Sequence, residues 1–356
     1  MKIWQRYFLK EFFKTFFLFL ICFYGLYCLI DYAGHTSSMH HSHGSFGFKD
    51  VVFYYLSEFS RRFDIIVPFG LLLATARTLL LFNSRSELVA LMAGGFSLKK
   101  LLMPFLGVGG LMVLLSFANE QWVQPTASRY IKSIEDHYAL LKNKKRGIRS
   151  AQHIPFTDGS VLIFQTYSES EDLFKDLFWI RSVDEIYRIG NLQAFTEPPI
   201  AREAELLQRQ NNGYLMVTNH YDTLALNDFS LNRTQLMETI AQPTQFPLDD
   251  LWKKLPDSPR SEKEAALLTA FTKKMILPWL SLFAILLTAP FCVVFGRNTP
   301  TFMIYAGTIF ALVALYLLLD AGEVMAKRQL FHPLIALLLP MAIAMIYPGW
   351  KFLRVR

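Results

Sequence analysis

Residues 101–119 read LLMPFLGVGGLMVLLSFAN, a run without a charged side chain. An α-helix rises about 1.5 Å per residue and the hydrocarbon core of a bilayer is about 30 Å thick, so about 20 apolar residues cross it. Residues 15–30, 65–76, 275–296, 298–319 and 329–350 have the same character. The stretch 65–76 is short, but it continues through Arg77 to Phe82, and an arginine near a helix end can extend its charged head to the interface. The pattern predicts six transmembrane helices, three on each side of a long polar insert. The whole chain, 356 residues with 53% hydrophobic and 18% charged side chains, is too apolar for an ordinary soluble protein.

Basic residues in short flanking segments report orientation. With a cytoplasmic amino terminus, Lys2, Arg6, Lys10, Lys14, Arg85, Lys99, Lys100, Arg297, Lys351, Arg354 and Arg356 fall on the cytoplasmic side, against Lys49, Arg61, Arg62, Lys327 and Arg328 on the other. Three crossings then place residues 121–274 outside the cytoplasm. The net charge of +7 is therefore topology signal rather than a nucleic-acid footprint, and no nucleic acid is expected as a partner. The first run has the basic start of a secretory signal, but Asp31, Tyr32 and His35 offer no small-x-small cleavage site, which predicts a retained helix. Cys22, Cys28 and Cys292 all lie in predicted spans, so no disulfide is expected in the exported part.

Three segments follow: 1–122 with the first three spans, 123–260 as an extracytoplasmic domain, and 261–356 with the last three spans. A helix over 125–141 extends the third span, with proline in its first turn. Short β-prone runs come next, at 161–166, 177–182, 186–189, 192–196, 204–207, 214–217 and 221–226. Turn signals separate them: Asp158-Gly159, Gly190-Asn191, Pro198-Pro199 and Asn211-Asn212-Gly213. That texture predicts an all-β sandwich or jellyroll-like domain, with Ile163 and Leu206 as inward-facing candidates. Ser261 and Glu264 have capping-box spacing at the start of the fourth span.

The chain has no G-x-x-x-x-G-K-[ST] phosphate loop and no Gly-Lys pair, which excludes a P-loop ATPase. Gradient-driven carriers place ionisable residues deep in the membrane, and the central parts of the apolar runs have almost none. Between the second and third spans, Ser84, Arg85, Ser86 and Glu87 precede Leu88, Leu91 and Met92, and Gly94-Gly95 supplies a stop. Ser84 and Glu87 have capping-box spacing, while Leu88, Leu91 and Met92 share one face, so a short amphipathic helix is predicted over 84–95. Two readings stay open for it: a capped linker resting on its neighbours, or a surface that a partner grips. Arg61 and Arg62 are candidate lipid-headgroup contacts, since the guanidinium fork suits phosphate; pairing with Glu58 or Asp64 is the plainer alternative. His35, His40, His41 and His43 read as a solvated loop rather than a metal site. His153, Asp158, Ser160, His220 and Asp222 are scattered without a nucleophile motif. No catalytic residue, metal or cofactor is expected.

Arg85-Ser86-Glu87-Leu88-Val89 followed by Ala93-Gly94-Gly95-Phe96-Ser97 resembles the cytoplasmic helix of the LptF/LptG (YjgP/YjgQ) permeases of lipopolysaccharide-export ABC transporters. Glu120-Gln121-Trp122-Val123-Gln124-Pro125, Phe295-Gly296-Arg297 and Asp320 match as well. The chain departs from LptG-type members at residues 31–38, where their lysines are replaced by DYAGHTSS. The resemblance implies a subunit of the bacterial inner membrane that pairs with a second homologous six-helix permease on a cytoplasmic ATPase dimer. It implies that lipopolysaccharide is extracted and passed to a periplasmic jellyroll protein, and that Glu87 on the coupling helix contacts the ATPase. A membrane-anchored periplasmic adaptor and a lipid-modifying membrane enzyme are the alternatives from other classes.

Overall fold

The computed structural model describes residues 3–39, 48–143, 152–156, 158–168, 172–196, 198–210, 214–226, 243–255, 262–293 and 301–354, with single residues at 229, 231 and 236. His40, His41, His43, Ser261, Asn211-Asn212-Gly213 and Phe295-Gly296-Arg297 lie outside them. The chain divides into two compact units, Met1–Tyr138 with Pro243–Arg356, and Ala139–Gln242.

The first unit is helical. Its elements are α1 (Ile3–Met39), α2 (Phe48–Arg61), α3 (Phe63–Ser84), α4 (Glu87–Ala93), α5 (Leu98–Ala118) and the beginning of α6 (Gln124–Asn143), with α7 (Leu248–Lys253), α8 (Glu262–Ile276), α9 (Leu280–Cys292), α10 (Thr301–Lys327) and α11 (Pro333–Arg354) after the insert. Among the described residues, six stretches are long and apolar enough to cross a membrane: Ile3–Gly34, Phe63–Ser84, Leu98–Lys132, Glu264–Cys292, Thr301–Lys327 and Pro333–Arg354. Helices satisfy their own backbone polar groups, which makes them one of the two structures a bilayer accepts. The third stretch is not uniform, because a π turn at Asn119–Val123 joins α5 to α6. The fourth is broken by Pro278, which lacks the N–H an α-helix needs, and passes through a 3₁₀ turn at Leu277–Trp279.

Burial separates these helices into two kinds. The apolar windows of α3 and of α8–α9 are mostly buried, whereas those of α1, α10 and α11 are mostly exposed. Thr75, Thr269, Thr272 and Thr288 are buried and each returns its hydroxyl to the carbonyl four residues earlier, which satisfies a polar group without a tertiary partner. One core joins Phe8, Phe12 and Phe16 of α1 to Leu71, Leu79 and Phe82 of α3 and to Leu101 and Phe105 of α5.

The second unit is built on β1 (Gln152–Pro155), β2 (Val161–Ser168), β3 (Leu173–Ile180), β4 (Glu185–Gln193), β5 (Ile200–Arg209) and β6 (Leu215–Ala225). They form one antiparallel sheet in sequence order, each strand beside its predecessor. Short connections enforce that order. At the β1–β2 corner Gly159 has φ +85°, and Asp158 Oδ1 accepts from the amide and the hydroxyl of Ser160. These bonds hold the Asp158 carboxyl below the usual carboxylate range.

Two expectations about the strands are corrected. The runs 186–189 and 192–196 lie on one strand through Gln193, and 214–217 and 221–226 share β6, so Gly190-Asn191 is not a turn. It marks a crease. Pairing skips Gln165, Asp176, Gly190, Glu203 and Asp222, which lie on one line across β2 to β6. Asp176 and Glu203 have φ of 51° and 54°. Core residues along β3, β4 and β5 are spaced by two, except at the crease, where they are spaced by three: Phe174 to Leu177, Ile189 to Leu192, Ala201 to Ala204. Register is the same on both sides of this line, and the change of spacing keeps the apolar set on one face. Ile163 is also misplaced by the simple reading. It stands opposite Phe178, on the face away from the core residues Leu162 and Phe164, whereas Leu206 is buried as expected.

Gly190 has a packing reason. A Cβ there would come within 2.7 Å of Glu203 Oε2 and 3.2 Å of Glu203 Cβ. Gly190→Val is expected to destabilise the sheet by about 1–3 kcal/mol through overpacking, read as a lower unfolding temperature of the purified chain; an unchanged temperature would show that the crease tolerates a side chain.

Candidate functional site

α3 runs to Ser84, after which the Arg85 amide donates to the Leu81 carbonyl and the Ser86 amide to that of Asn83. Ser86 then turns through φ +57° and α4 begins at Glu87. The expected capping box is absent here: Ser84 belongs to α3, its hydroxyl donates to the Leu81 carbonyl at 2.8 Å, and the cap residue Ser86 makes no side-chain cap bond. The helix expected over 84–95 is accordingly seven residues long. Its stop is the glycine pair. The Gly94 and Gly95 amides donate to the Ala90 and Met92 carbonyls, the Phe96 amide returns to Leu91, and Gly95 takes φ +86°, which glycine adopts without steric cost.

The two faces of α4 differ. Leu88 is completely buried, and Leu91 and Met92 pack on the core formed by Phe8, Phe82 and Phe105. Val89, Ala90 and Ala93 are exposed and uncharged, and Arg85 is exposed beside them. Glu87 lies between these faces with its side chain 29% exposed. The Tyr7 hydroxyl donates to its Oε1 at 3.4 Å, and Arg85 approaches the same oxygen at 3.8 Å. A carboxylate in the first turn also meets the positive end of the helix dipole.

Arg61 and Arg62 both turn to Glu58. Arg62 Nε is 2.7 Å and an Arg61 guanidinium nitrogen 2.9 Å from its carboxylate. The Tyr27 hydroxyl donates to it at 2.9 Å, and the Arg62 guanidinium lies 4.5 Å from the centre of the Tyr27 ring. Burial raises the pKa of the Glu58 carboxyl, but the arginine bonds and charges outweigh it and hold the group below the ordinary range. Pairing with Glu58 thus takes up these two side chains, each of which keeps an exposed part.

A family description, Lipopolysaccharide export system permease LptF/LptG, matches residues 6–354. The chain belongs to the LptF/LptG family. No curated protein matches it significantly. As an LptF/LptG protein it is a permease component of a lipopolysaccharide export transporter that works with partner subunits, and it is a multi-pass membrane protein.

One feature of this LptF/LptG chain escaped the sequence reading. Lys274 is buried against Glu120 at 3.0 Å and donates to Gln124 Oε1 at 2.5 Å. Its neighbour Lys273 turns instead to Glu323 at 2.5 Å and Asp320 at 3.3 Å, and Lys327 closes on Glu323 at 2.6 Å. The π turn and the following helix are joined in this way to α8, and α8 to α10. In the sequence Lys273-Lys274 looked like the edge of a span, and Glu120 and Asp320 like isolated motif letters. The available signal was that these charges fall at the ends of apolar runs, where an unpaired charge is costly.

Proposed function

We propose that this chain is one of two homologous six-helix permeases of an ABC transporter that extracts lipopolysaccharide, or lipooligosaccharide, from the bacterial inner membrane. ATP hydrolysis belongs to a separate cytoplasmic ATPase dimer, since the chain carries no phosphate-binding loop. Three helices cross before the sheet and three after it. Both termini and α4 face the cytoplasm, as the asymmetry of basic residues supports, and the sheet is periplasmic. The sheet serves as a jellyroll-like trough whose apolar face, which carries Leu206, shields acyl chains on the way to a periplasmic jellyroll partner.

The observation that carries this reading is the arrangement of α4. Its apolar stripe is embedded in the helical core through Leu88, while Glu87 stays at the surface. A partner that pulls on this helix pulls on the core. The ATPase-coupling residues are then Ser84, Arg85, Ser86, Glu87, Leu88, Leu91 and Met92, with Glu87 meeting a basic group of the ATPase.

Glu87→Gln tests the assignment. Because no side-chain cap bond exists and the glutamine oxygen can still accept from Tyr7, the local cost is the helix-dipole contribution of about 0.3–1 kcal/mol. Loss of a charge-assisted contact in a desolvated groove costs more, about 2–5 kcal/mol. The variant is expected to insert normally and to extract lipopolysaccharide poorly, with partial recovery when the ATPase carries a compensating charge. Wild-type extraction by both Glu87→Gln and Glu87→Ala would remove the coupling role.

A further inference from the structure

If force enters at α4, some element must carry it to the lipid-facing helices. We propose that α1 is that element and that Tyr7 is the positioning residue tying it to Glu87; this rests on the reading of α4 given above. Three contacts place the amino-terminal turns of α1 on both sides of α4. The Phe8 ring stacks on Phe82 at 4.1 Å and the Tyr7 ring lies 5.5 Å from it, and Phe82 is in the last turn of α3, just before α4. Trp4 stands edge-on to Phe96 at 5.7 Å, just after the glycine stop. Between them the Tyr7 hydroxyl reaches Glu87 Oε1 across 80 positions in sequence.

The chemistry of the link is directional. A phenol hydroxyl can donate to the carboxylate without neutralising it, and at 3.4 Å the bond is long, so it orients the group more than it binds it. Tyr7 and Arg85 both address Oε1, so Oε2 is the oxygen left to meet a basic partner group. Tyr7 thus holds the carboxylate in the orientation that α4 presents.

The mechanics follow from α1 itself. It is one helix of 37 residues without proline, about 55 Å long at the standard rise, so it can act as a rod. Most of its apolar surface is exposed, including Phe17, Leu18, Ile21 and Leu26, while α3, its neighbour in the core, is mostly buried. Towards its other end Tyr27 is hydrogen-bonded to Glu58 of α2. Displacement of α4 therefore reaches a lipid-facing surface through α1, whose Phe8, Phe12 and Phe16 belong to the same core as Leu88.

Tyr7→Phe removes the hydroxyl and leaves the ring contacts. The assembly, purified through a tag on this chain and reconstituted in proteoliposomes containing lipopolysaccharide, is assayed for lipid extracted per ATP hydrolysed. The ratio is expected to fall about three- to tenfold, the equivalent of one lost ordinary side-chain hydrogen bond, with an unchanged unfolding temperature. On a Glu87→Ala background the same substitution is expected to add nothing. A wild-type ratio in Tyr7→Phe, or an equal fall on both backgrounds, overturns the inference. Impaired Glu87 variants beside a normal Tyr7→Phe would remove only the Tyr7 link, whereas wild-type Glu87 variants would remove the α4 reading and the link together.

Discussion

Lys274→Met is expected to lower the unfolding free energy of the detergent-solubilised protein by about 3–5 kcal/mol, the usual cost of stranding one member of a buried ion pair. Lys274 and Glu120 have side chains only 5% and 4% exposed, at 3.0 Å from each other. Solvent therefore cannot replace the missing ammonium, and the Gln124 side-chain oxygen loses its donor as well. The same reasoning predicts that Glu120→Leu combined with Lys274→Met recovers much of the loss, since a packed apolar pair avoids the desolvation of both charges. Thermal unfolding followed by tryptophan fluorescence measures both variants. A single substitution as stable as the wild type would mean that water reaches the pair.

Gly322→Ala should be the most damaging one-carbon change among the described glycines. A Cβ at this position of α10 would lie 2.5 Å from the carbonyl oxygen of Ala336 and 3.3 Å from its carbon. Both are backbone atoms of α11, so no side chain can turn aside and the two helices must separate. Small residues permit this kind of close approach between membrane helices, and overpacking costs about 1–3 kcal/mol. Gly307 on the same helix supplies the control: a Cβ there meets nothing within 4 Å, so Gly307→Ala should be neutral or stabilising by up to about 1 kcal/mol through helix propensity. The difference between the two unfolding temperatures is the measurement, and equal temperatures would show that α10 and α11 do not touch at Gly322.

The candidate site was partly legible. Leu88, Leu91 and Met92 announced a helical face by their spacing, and Gly94-Gly95 announced its end. The capping box did not survive, because α3 continues through Ser84 and leaves that hydroxyl bonded to Leu81; two residues with suitable spacing say nothing about where the preceding helix stops. Arg61 and Arg62 had a carboxylate nearby in sequence and the structure pairs them with it. Tyr7 carried no local signal at all, since its partner is 80 residues away.

The sequence by itself determined the kind of the long apolar helices and of the strands from Val161 onward, but gave no sign of α2, α7 or β1. Long runs without charge must be helices where a bilayer leaves no water for the backbone, and short alternating runs between turn residues must be strands. These are consequences of local periodicity and solvation. Tertiary structure decided everything that depends on which elements meet. The line of skipped pairs runs through several neighbouring strands, so Gly190, a turn signal when read alone, becomes an interior strand position beside Glu203. The pairing of Lys274 with Glu120, 154 positions apart, and of Lys273 with Glu323, 50 positions apart, likewise depends on helix packing. A buried charge needs a partner at about 3 Å, and sequence spacing supplies the need for that partner but not its address.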